Sequence, residues 1–265
     1  MPTVESDGVR LHYEVSGDPE KAVLVLVNSL GSTLNMWDKV MPAFENQYRV
    51  LRFDMRGHGQ SDVATKPFTI EQLGRDVLRL MDEAGSDRAS VCGLSLGGVV
   101  ALWLGIHTPK RVRRLILANT AARIGCHEIW EQRIATVRDS GMPPLAELMP
   151  QRWFTPAYRA HHPDEMERVR EMVLAANPGG YAACCAVLRD TDLRDEVGSV
   201  NTPSLVITGT HDPATPPGDG RALHAAIPNS SYVELDASHL SAWERANEFA
   251  EAVMKHLSAG EDEDG

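Results

Sequence analysis

The hydrophobic positions of the chain follow two alternating periods, one typical of strands and one typical of helices. Residues 9–17 alternate between apolar and polar side chains, which predicts an outer strand. Residues 22–32 form a continuous apolar run, as expected of a central strand covered on both faces. Further strands are predicted where short apolar runs recur, in the sequences YRVLRFD, RASVCGL, VRRLILANT, PSLVITGTHD and SYVELDASH.

Helical periodicity separates these strands. In residues 69–85 the apolar side chains stand three and four positions apart, with Thr69 as the predicted N-cap; they are Ile70, Leu73, Val77, Leu80 and Met81. Residues 37–45 also predict a helix, as do the sequences GGVVALWLGIH, GDGRALHAAIP and SAWERANEFAEAVMKHL. Strands that alternate with helices predict an α/β fold, in which a mostly parallel central sheet has helices on both faces.

The alternation is interrupted once. Residues 121–197 are helical and polar and contain no strong strand pattern. We therefore expect them to form a helical cap, inserted into an α/β core made of residues 1–120 and 198–258. Residues 259–265, with the sequence AGEDEDG, carry charges of one sign and predict a disordered acidic tail.

One serine lies where a strand runs directly into a helix. The sequence SVCGLSLGG places Ser95 between Gly93 and Gly97 in the pattern G-x-S-x-G. At a strand-to-helix turn this pattern is called a nucleophile elbow, because the tight turn presents the hydroxyl above the sheet. Side chains at either glycine would collide in such a turn, and Ser95 would be strained. Because the pattern is short, its meaning depends on whether the chain also supplies an acid and a histidine.

Two later strands are followed by such residues. Asp212 comes directly after PSLVITGTH, and His239 comes directly after SYVELDAS. In an open parallel sheet these loops meet at the carboxyl edge, where ligands bind. A serine hydroxyl needs a base within hydrogen-bond reach, and a carboxylate on the other ring nitrogen fixes the tautomer of that base. The order serine, aspartate, histidine is that of the α/β-hydrolase fold, and it predicts a catalytic triad of Ser95, Asp212 and His239.

Other residues compete for these roles. His58 follows a strand but precedes the serine, and we expect its turn, FDMRGHGQSD, to brace the nearby loops. His211 is a further candidate base, and Asp54 and Asp236 are further candidate acids. Asp236 is too close in sequence to His239 to reach behind its imidazole.

A tetrahedral oxyanion needs two hydrogen-bond donors. In this fold one donor is the backbone N–H that follows the nucleophile, here that of Leu96. The other comes from the loop after the third strand, here NSLG. Backbone donors impose no side-chain preference, so the sequence predicts the location better than the residue. We assign the second donor to Leu30, with Ser29 as the second choice.

Composition narrows the classes of function. The chain has 265 residues, of which 43% are hydrophobic and 24% are charged, as in an ordinary globular protein. Its formal net charge of -11 argues against a nucleic-acid partner, which would need a basic face. No apolar run approaches the roughly 20 residues that span a membrane, and the N-terminus lacks a secretory signal pattern. We therefore expect a cytoplasmic protein without a membrane partner.

The cysteines and glycine-rich segments do not indicate a cofactor. The 4 cysteines lack the spacing of a disulfide framework or a zinc site, which favours reduced thiols; they are Cys92, Cys126, Cys184 and Cys185. The segment GLSLGG lacks the Lys-Ser/Thr ending of a phosphate-binding loop. We expect neither a metal nor a cofactor. Formation of a homo-oligomer is not decided by the sequence.

Several segments together resemble the α/β-hydrolase superfamily: HGQSD after FDMRG, CGLSLGG, GTHDPATPP and ASHLSAWERANEFAEAV. The resemblance covers nearly the whole chain apart from the acidic tail. The segments VNSLGSTLNMWD, RLILANTAARIG and QRWFTPAYR further resemble bacterial 3-oxoadipate enol-lactonases, and NSLG stands where many relatives have His-Gly. This second resemblance implies hydrolysis of a small anionic enol-lactone in aromatic catabolism, without a cofactor.

A small anionic substrate needs a local cation in a negatively charged protein. The cap segment offers Arg123, Arg133 and Arg152. The sequence HEIWEQR places Trp130 and Arg133 three positions apart on one helix face, and we expect both to contact the substrate, together with Ser29. The alternative is that Trp130 belongs to the core of the cap and that Arg133 is a solvated charge.

Three other functions remain open. One is a general carboxylesterase or perhydrolase on the same fold, and another is a hydrolase of C–C bonds that uses the same triad. The third is a non-catalytic ligand receptor, because a fold does not fix a function. The complete triad argues against the receptor.

Overall fold

The computed structural model describes residues 2–259, in which eight strands form one sheet. Two pairs, β1 with β2 and β2 with β4, are antiparallel, and the other pairs are parallel. The predicted mostly parallel α/β fold is therefore confirmed. The strands, in their order across the sheet, are β1 (Thr3–Ser6), β2 (Val9–Ser16), β4 (Arg49–Phe53), β3 (Val23–Val27), β5 (Ala89–Leu94), β6 (Val112–Ala118), β7 (Ser204–Gly209) and β8 (Ser230–Leu235).

The central strands are covered on both faces. Every residue of β3, β5 and β7 is buried, although successive side chains of a strand point to opposite faces. The covering helices include α2, α3, α9 and α11, which pack on the sheet. The α-helices are α1 (Met41–Glu45), α2 (Ile70–Glu83), α3 (Leu96–His107), α4 (His127–Ser140), α5 (Pro143–Trp153), α6 (Pro156–His161), α7 (Pro163–Ala175), α8 (Pro178–Asp190), α9 (Pro217–Ala226), α10 (Ser241–Glu244) and α11 (Ala246–Ser258).

Three elements differ from the sequence-based prediction. The strand predicted as outer, β2, lies between β1 and β4, because the four-residue strand β1 forms the edge. The helix predicted over residues 37–45 is a 3-10 turn, Leu34–Trp37, followed by the short helix α1, which starts around a proline. The last predicted helix is interrupted at Arg245, whose backbone is not helical.

The segment between β6 and β7 is helical, as predicted. It contains α4 to α8, in which α4 packs on α8 and α5 packs on α7. Its division from the core at residues 121 and 197 stays a prediction. Of the predicted acidic tail, all but Ala259 lies outside the described residues.

The order of the strands brings four loops together. Because β5, β6, β7 and β8 are neighbours and parallel, the loops after them lie side by side at the carboxyl edge of the sheet. Ser95, Asn119, Asp212 and His239 belong to these loops in that order.

Candidate active site

Ser95 lies at the turn between β5 and α3. Its backbone has φ 60° and ψ -119°, a conformation that L residues rarely adopt, so the predicted strain is present. A Cβ atom at Gly93 would lie 2.0 Å from the carbonyl oxygen of Gly97, and one at Gly97 would lie 2.1 Å from that of Val27. These two positions therefore require glycine, and the turn holds the serine at the edge of the sheet.

Asp212 and His239 form a buried pair. His239 Nδ1 lies 2.8 Å from Asp212 Oδ2, and the two side chains are 4% and 0% exposed. Burial by itself raises the pKa of Asp212, but the charge of His239 and hydrogen bonds from His239, Asn119 and Thr215 bring it below its usual value. The carboxylate is thus held ionised, which suits it to orient an imidazole through Nδ1.

Asn119 lies outside the residues predicted from the sequence, yet it connects the loops of the site. Its Nδ2 donates to Asp212 Oδ2 at 3.0 Å and to the carbonyl oxygen of Ser238 at 3.2 Å. The preceding residue, Ala118, accepts a hydrogen bond from the Ser95 N–H at 2.9 Å. The rule that found Asp212, a polar residue directly after an apolar strand, would also have found Asn119 in LILANT.

The loop after β3 distinguishes between the two candidate oxyanion donors. The Ser29 N–H donates to Met36 Sδ at 3.2 Å, and the Gly31 N–H donates to His58 Nε2 at 3.0 Å. Within residues 2–259 the Leu30 N–H has no such partner, which favours Leu30 over Ser29. Leu96 is the first residue of α3, where helix N–H groups lack intrahelical partners. Ser29 itself is buried, and its contact with a substrate stays a prediction.

His58 and Asp54 support this loop, as predicted for their turn. Burial lowers the pKa of His58, so its imidazole is neutral and accepts the Gly31 N–H. Asp54 Oδ1 accepts the N–H of Leu34 at 2.8 Å, and its Oδ2 lies 3.0 Å from Nδ1 of His12. Both side chains are therefore committed to structural contacts.

The other competing acid and base lie at the surface. His211 Nε2 and Asp236 Oδ1 are 2.8 Å apart, with side chains 56% and 73% exposed. Asp236 also accepts a hydrogen bond from Arg245. The expectation that Asp236 does not reach behind the imidazole of His239 is confirmed, since that position is held by Asp212.

Arg133 and Trp130 share one face of α4, as predicted. The guanidinium carbon of Arg133 lies 5.3 Å from the centre of the Trp130 ring, and its Nη1 lies 3.5 Å from Tyr181 Oη. The Tyr181 ring packs against Gly31, 2.9 Å from where a Cβ atom would stand, so Arg133 approaches the loop after β3. Trp130 is only 6% exposed, which is the exposure of a core residue.

The other two candidate arginines between β6 and β7, Arg123 and Arg152, differ in their partners. Arg123 forms an ion pair with Asp192, with an N–O distance of 3.2 Å. Arg152 Nη2 instead donates to the carbonyl oxygen of Pro213 at 3.3 Å, beside the candidate acid Asp212. Arg152 therefore lies near the candidate site, whereas the charge of Arg123 is neutralised elsewhere.

A model of the α/β hydrolase fold family matches residues 22–246 of the chain. The chain belongs to the α/β-hydrolase fold family.

Proteins similar to this hydrolase indicate the class of bond that it cleaves. It is 38% identical over 259 residues to 3-oxoadipate enol-lactonase 2 of Acinetobacter baylyi, covering 97% of each chain. The enol-lactonase structure from Burkholderia xenovorans LB400 matches with a TM-score of 0.95 at 42% identity, covering 97% of this chain and 100% of that one. A thermophilic esterase from Thermogutta terrifontis, solved with malate bound, matches with a TM-score of 0.90 at 30% identity, covering 97% and 96%. The protein is a carboxylic ester hydrolase.

A buried carboxylate ties the histidine loop of the hydrolase to the end of α5. Glu244 is 8% exposed, and its carboxylate accepts the Ser238 N–H at 2.9 Å as well as the backbone N–H and hydroxyl of Thr155. The Leu240 N–H donates to the carbonyl oxygen of Trp153 at 3.0 Å. Both neighbours of His239 are thus fixed by hydrogen bonds to the helical segment between β6 and β7.

The remaining features of the hydrolase concern thiols, metals and membranes. Burial raises the pKa of Cys92, so this thiol stays protonated and is a poor nucleophile.

In residues 2–259 no group of three or more His, Cys, Asp and Glu side chains is arranged to hold a metal ion. No helix of the same residues has the length and apolar character needed to cross a membrane.

Proposed function

We propose that this hydrolase opens a small enol-lactone that carries a carboxylate, converting 3-oxoadipate enol-lactone to 3-oxoadipate. The choice of an anionic substrate rests on Arg133. Its guanidinium is half-buried beside the candidate site, and within residues 2–259 it has no acidic partner. The similarity to enol-lactonases over nearly the whole chain supports the same choice.

In the proposed acylation step, Ser95 Oγ attacks the lactone carbonyl while His239 Nε2 takes its proton. The bond between the acyl carbon and the ring oxygen then breaks, and His239 returns the proton to the departing enol oxygen. Asp212 holds the imidazole through Nδ1 and stabilises the imidazolium that forms in between. The enol tautomerises to a ketone, which favours the products.

In the proposed deacylation step, water attacks the acyl-enzyme with His239 as the base, and Ser95 recovers its proton. Both steps pass through a tetrahedral oxyanion. The N–H groups of Leu30 and Leu96 are proposed to donate to it, an electrostatic contribution that is usually large in acyl transfer. No metal or cofactor is needed for this sequence of steps.

Arg133 is proposed to bind the substrate carboxylate. A guanidinium can hold a carboxylate through two parallel hydrogen bonds, and a partly buried position strengthens them. Trp130 and Ser29 are proposed to contact the lactone. Because Trp130 is nearly buried, its main contribution is to support the guanidinium of Arg133 from one side.

Arg133→Ala is expected to lower kcat/KM for the anionic lactone by about 10- to 150-fold, since a hydrogen bond to a charged group is worth about 1.5–3 kcal/mol. Hydrolysis of neutral p-nitrophenyl acetate should be nearly unchanged, because the triad is untouched. Steady-state kinetics on both substrates measure the contrast.

The matched control is Arg123→Ala, which removes a guanidinium that already pairs with Asp192. It should leave both rates within about twofold, as expected for a surface pair. Equal losses on both substrates for Arg133→Ala would mean that this residue supports the fold rather than binding the carboxylate.

The proposed function is tested by assaying the purified protein against three substrates. We expect the enol-lactone to give a kcat/KM at least tenfold above that of p-nitrophenyl acetate, and a vinylogous diketone from aromatic ring cleavage to give no turnover. The similarity to an esterase favours a general carboxylesterase as the second candidate. A higher kcat/KM for the neutral ester would support that candidate, and turnover of the diketone would support a C–C bond hydrolase.

A further inference from the structure

We propose that this site binds a dicarboxylate, with one carboxylate on Arg133 and the other on Arg152. This inference rests on the proposed function in one respect, since the ring-opened product is the dicarboxylate expected to occupy the site. It goes further by assigning a second anion-binding position, on another helix from the first.

Arg152 is fixed next to the histidine and the acid of the candidate triad. It lies in the last turn of α5, and its carbonyl oxygen accepts a hydrogen bond from Ser238 Oγ at 2.8 Å. Its Nη2 lies 3.3 Å from the carbonyl oxygen of Pro213, the residue after Asp212. The backbone and the guanidinium of Arg152 thus contact the loops after β8 and β7.

Arg133 reaches the site from α4 and contacts a different loop. Tyr181, which its guanidinium approaches, packs on Gly31 in the loop after β3. The ring of Trp153, the residue after Arg152, comes within 4.0 Å of where a Cβ atom of the same glycine would stand. The two arginines therefore approach the site from different helices, with Arg133 directed to the loop after β3 and Arg152 to the loops after β7 and β8.

Electrostatics shows that the two guanidiniums affect each other. Burial and the positive charge of Arg133 lower the pKa of Arg152, whereas the negative charge of Asp212 raises it. Neither Arg133 nor Arg152 forms an ion pair with an acid within residues 2–259, although Arg123 and Arg189 of the same inserted segment do. Two partly buried like charges repel, and a ligand with two negative charges relieves the repulsion better than a ligand with one.

The proposed reaction supplies such a ligand. Hydrolysis breaks the bond between the acyl carbon and the ring oxygen, and water provides a hydroxyl to the carbon and a hydrogen to the leaving enol. The new carboxylic acid then loses a proton at neutral pH, because its pKa is near 4. A substrate with one carboxylate thus becomes a product with two, and the second forms at Ser95, beside the loops that Arg152 contacts.

Isothermal titration calorimetry with adipate and hexanoate tests the proposal. Both are six-carbon chains, and they differ by one carboxylate. At fixed ionic strength and neutral pH, we expect adipate to bind about 10- to 150-fold more tightly than hexanoate, as expected of one added charged hydrogen-bonded contact. Arg152→Gln, which keeps a donor for Pro213, should remove most of this preference and leave hexanoate binding unchanged.

Two further variants make the test specific. Arg123→Gln removes a paired guanidinium from the same segment and should leave the preference for adipate intact. Arg152→Lys keeps the positive charge and should retain a several-fold preference for adipate over hexanoate. This variant still tests the proposal if Arg152→Gln fails to fold.

Equal binding of adipate and hexanoate to the wild type, or no measurable binding of either, would overturn the proposal. So would an unchanged preference in folded Arg152→Gln. Because calorimetry requires no turnover, its result is separate from that of the lactone assay. Lactone hydrolysis without a preference for adipate would overturn only the dicarboxylate site, and the reverse result would overturn only the proposed function.

Discussion

Ser95→Ala is expected to lower kcat/KM for lactone and ester substrates by roughly 10⁴-fold or more while the fold is retained. The hydroxyl is the group proposed to attack the carbonyl, and the nearest thiol on β5, Cys92, is buried and protonated. The backbone contacts of Ser95 do not use its hydroxyl: its N–H donates to Ala118, and its carbonyl oxygen accepts from Thr120 Oγ1 at 2.8 Å. Alanine therefore preserves the turn.

The measurement is steady-state kinetics together with the melting temperature and circular dichroism of both proteins. Ser90→Ala is the matched control, because Ser90 is a buried serine on the same strand but near its other end. Its activity should stay within a few-fold of the wild type. Activity of Ser95→Ala within tenfold of the wild type would contradict a covalent mechanism.

The parts of the fold that sequence predicts well are those where burial dictates the pattern. The apolar runs of β3, β5 and β7 were identifiable because both faces of these strands are covered, so apolar side chains predominate at successive positions. The edge strand β1 has four residues, TVES, with a polar exposed face, so it carries too little hydrophobic pattern to be recognised. Short local interruptions, such as the non-helical Arg245, depend on tertiary contacts and leave no periodic signal.

In the candidate site, too, some residues can be predicted from the sequence and others cannot. Ser95, Asp212 and His239 could be assigned because each follows a strand, so their positions depend on the order of the strands rather than on the packing of side chains. The contacts of the arginines could not be assigned in this way. Arg123 is neutralised by Asp192, which is distant in sequence, whereas Arg152 is placed by hydrogen bonds with Ser238 in the histidine loop and with Pro213 in the loop after β7. Such long-range contacts are invisible to spacing rules.

Asp212→Asn is expected to lower kcat/KM by roughly 10⁴-fold. The carboxylate accepts hydrogen bonds on both oxygens: Oδ2 from His239, Asn119 and Thr215, and Oδ1 from the N–H groups of Ala214 and Thr215. An amide presents a donor in one of these two positions. Facing the imidazole, it favours the tautomer with the proton on Nε2, which cannot accept the proton of a serine hydroxyl. In the other orientation it opposes two backbone donors and displaces the side chain.

The matched control for this prediction is Asp236→Asn. Asp236 is the aspartate nearest in sequence to His239, but it is 73% exposed and pairs with His211 and Arg245. Its replacement should change kcat/KM by no more than about twofold, since exposed ion pairs contribute little. The rates of both variants are measured at saturating and at limiting substrate, and their melting temperatures are compared to verify that both are folded. The comparison of the two rates then decides which aspartate is the acid of the triad. If Asp236→Asn causes the larger loss, the acid of the triad is Asp236, and the buried contact between Asp212 and His239 has only a structural role.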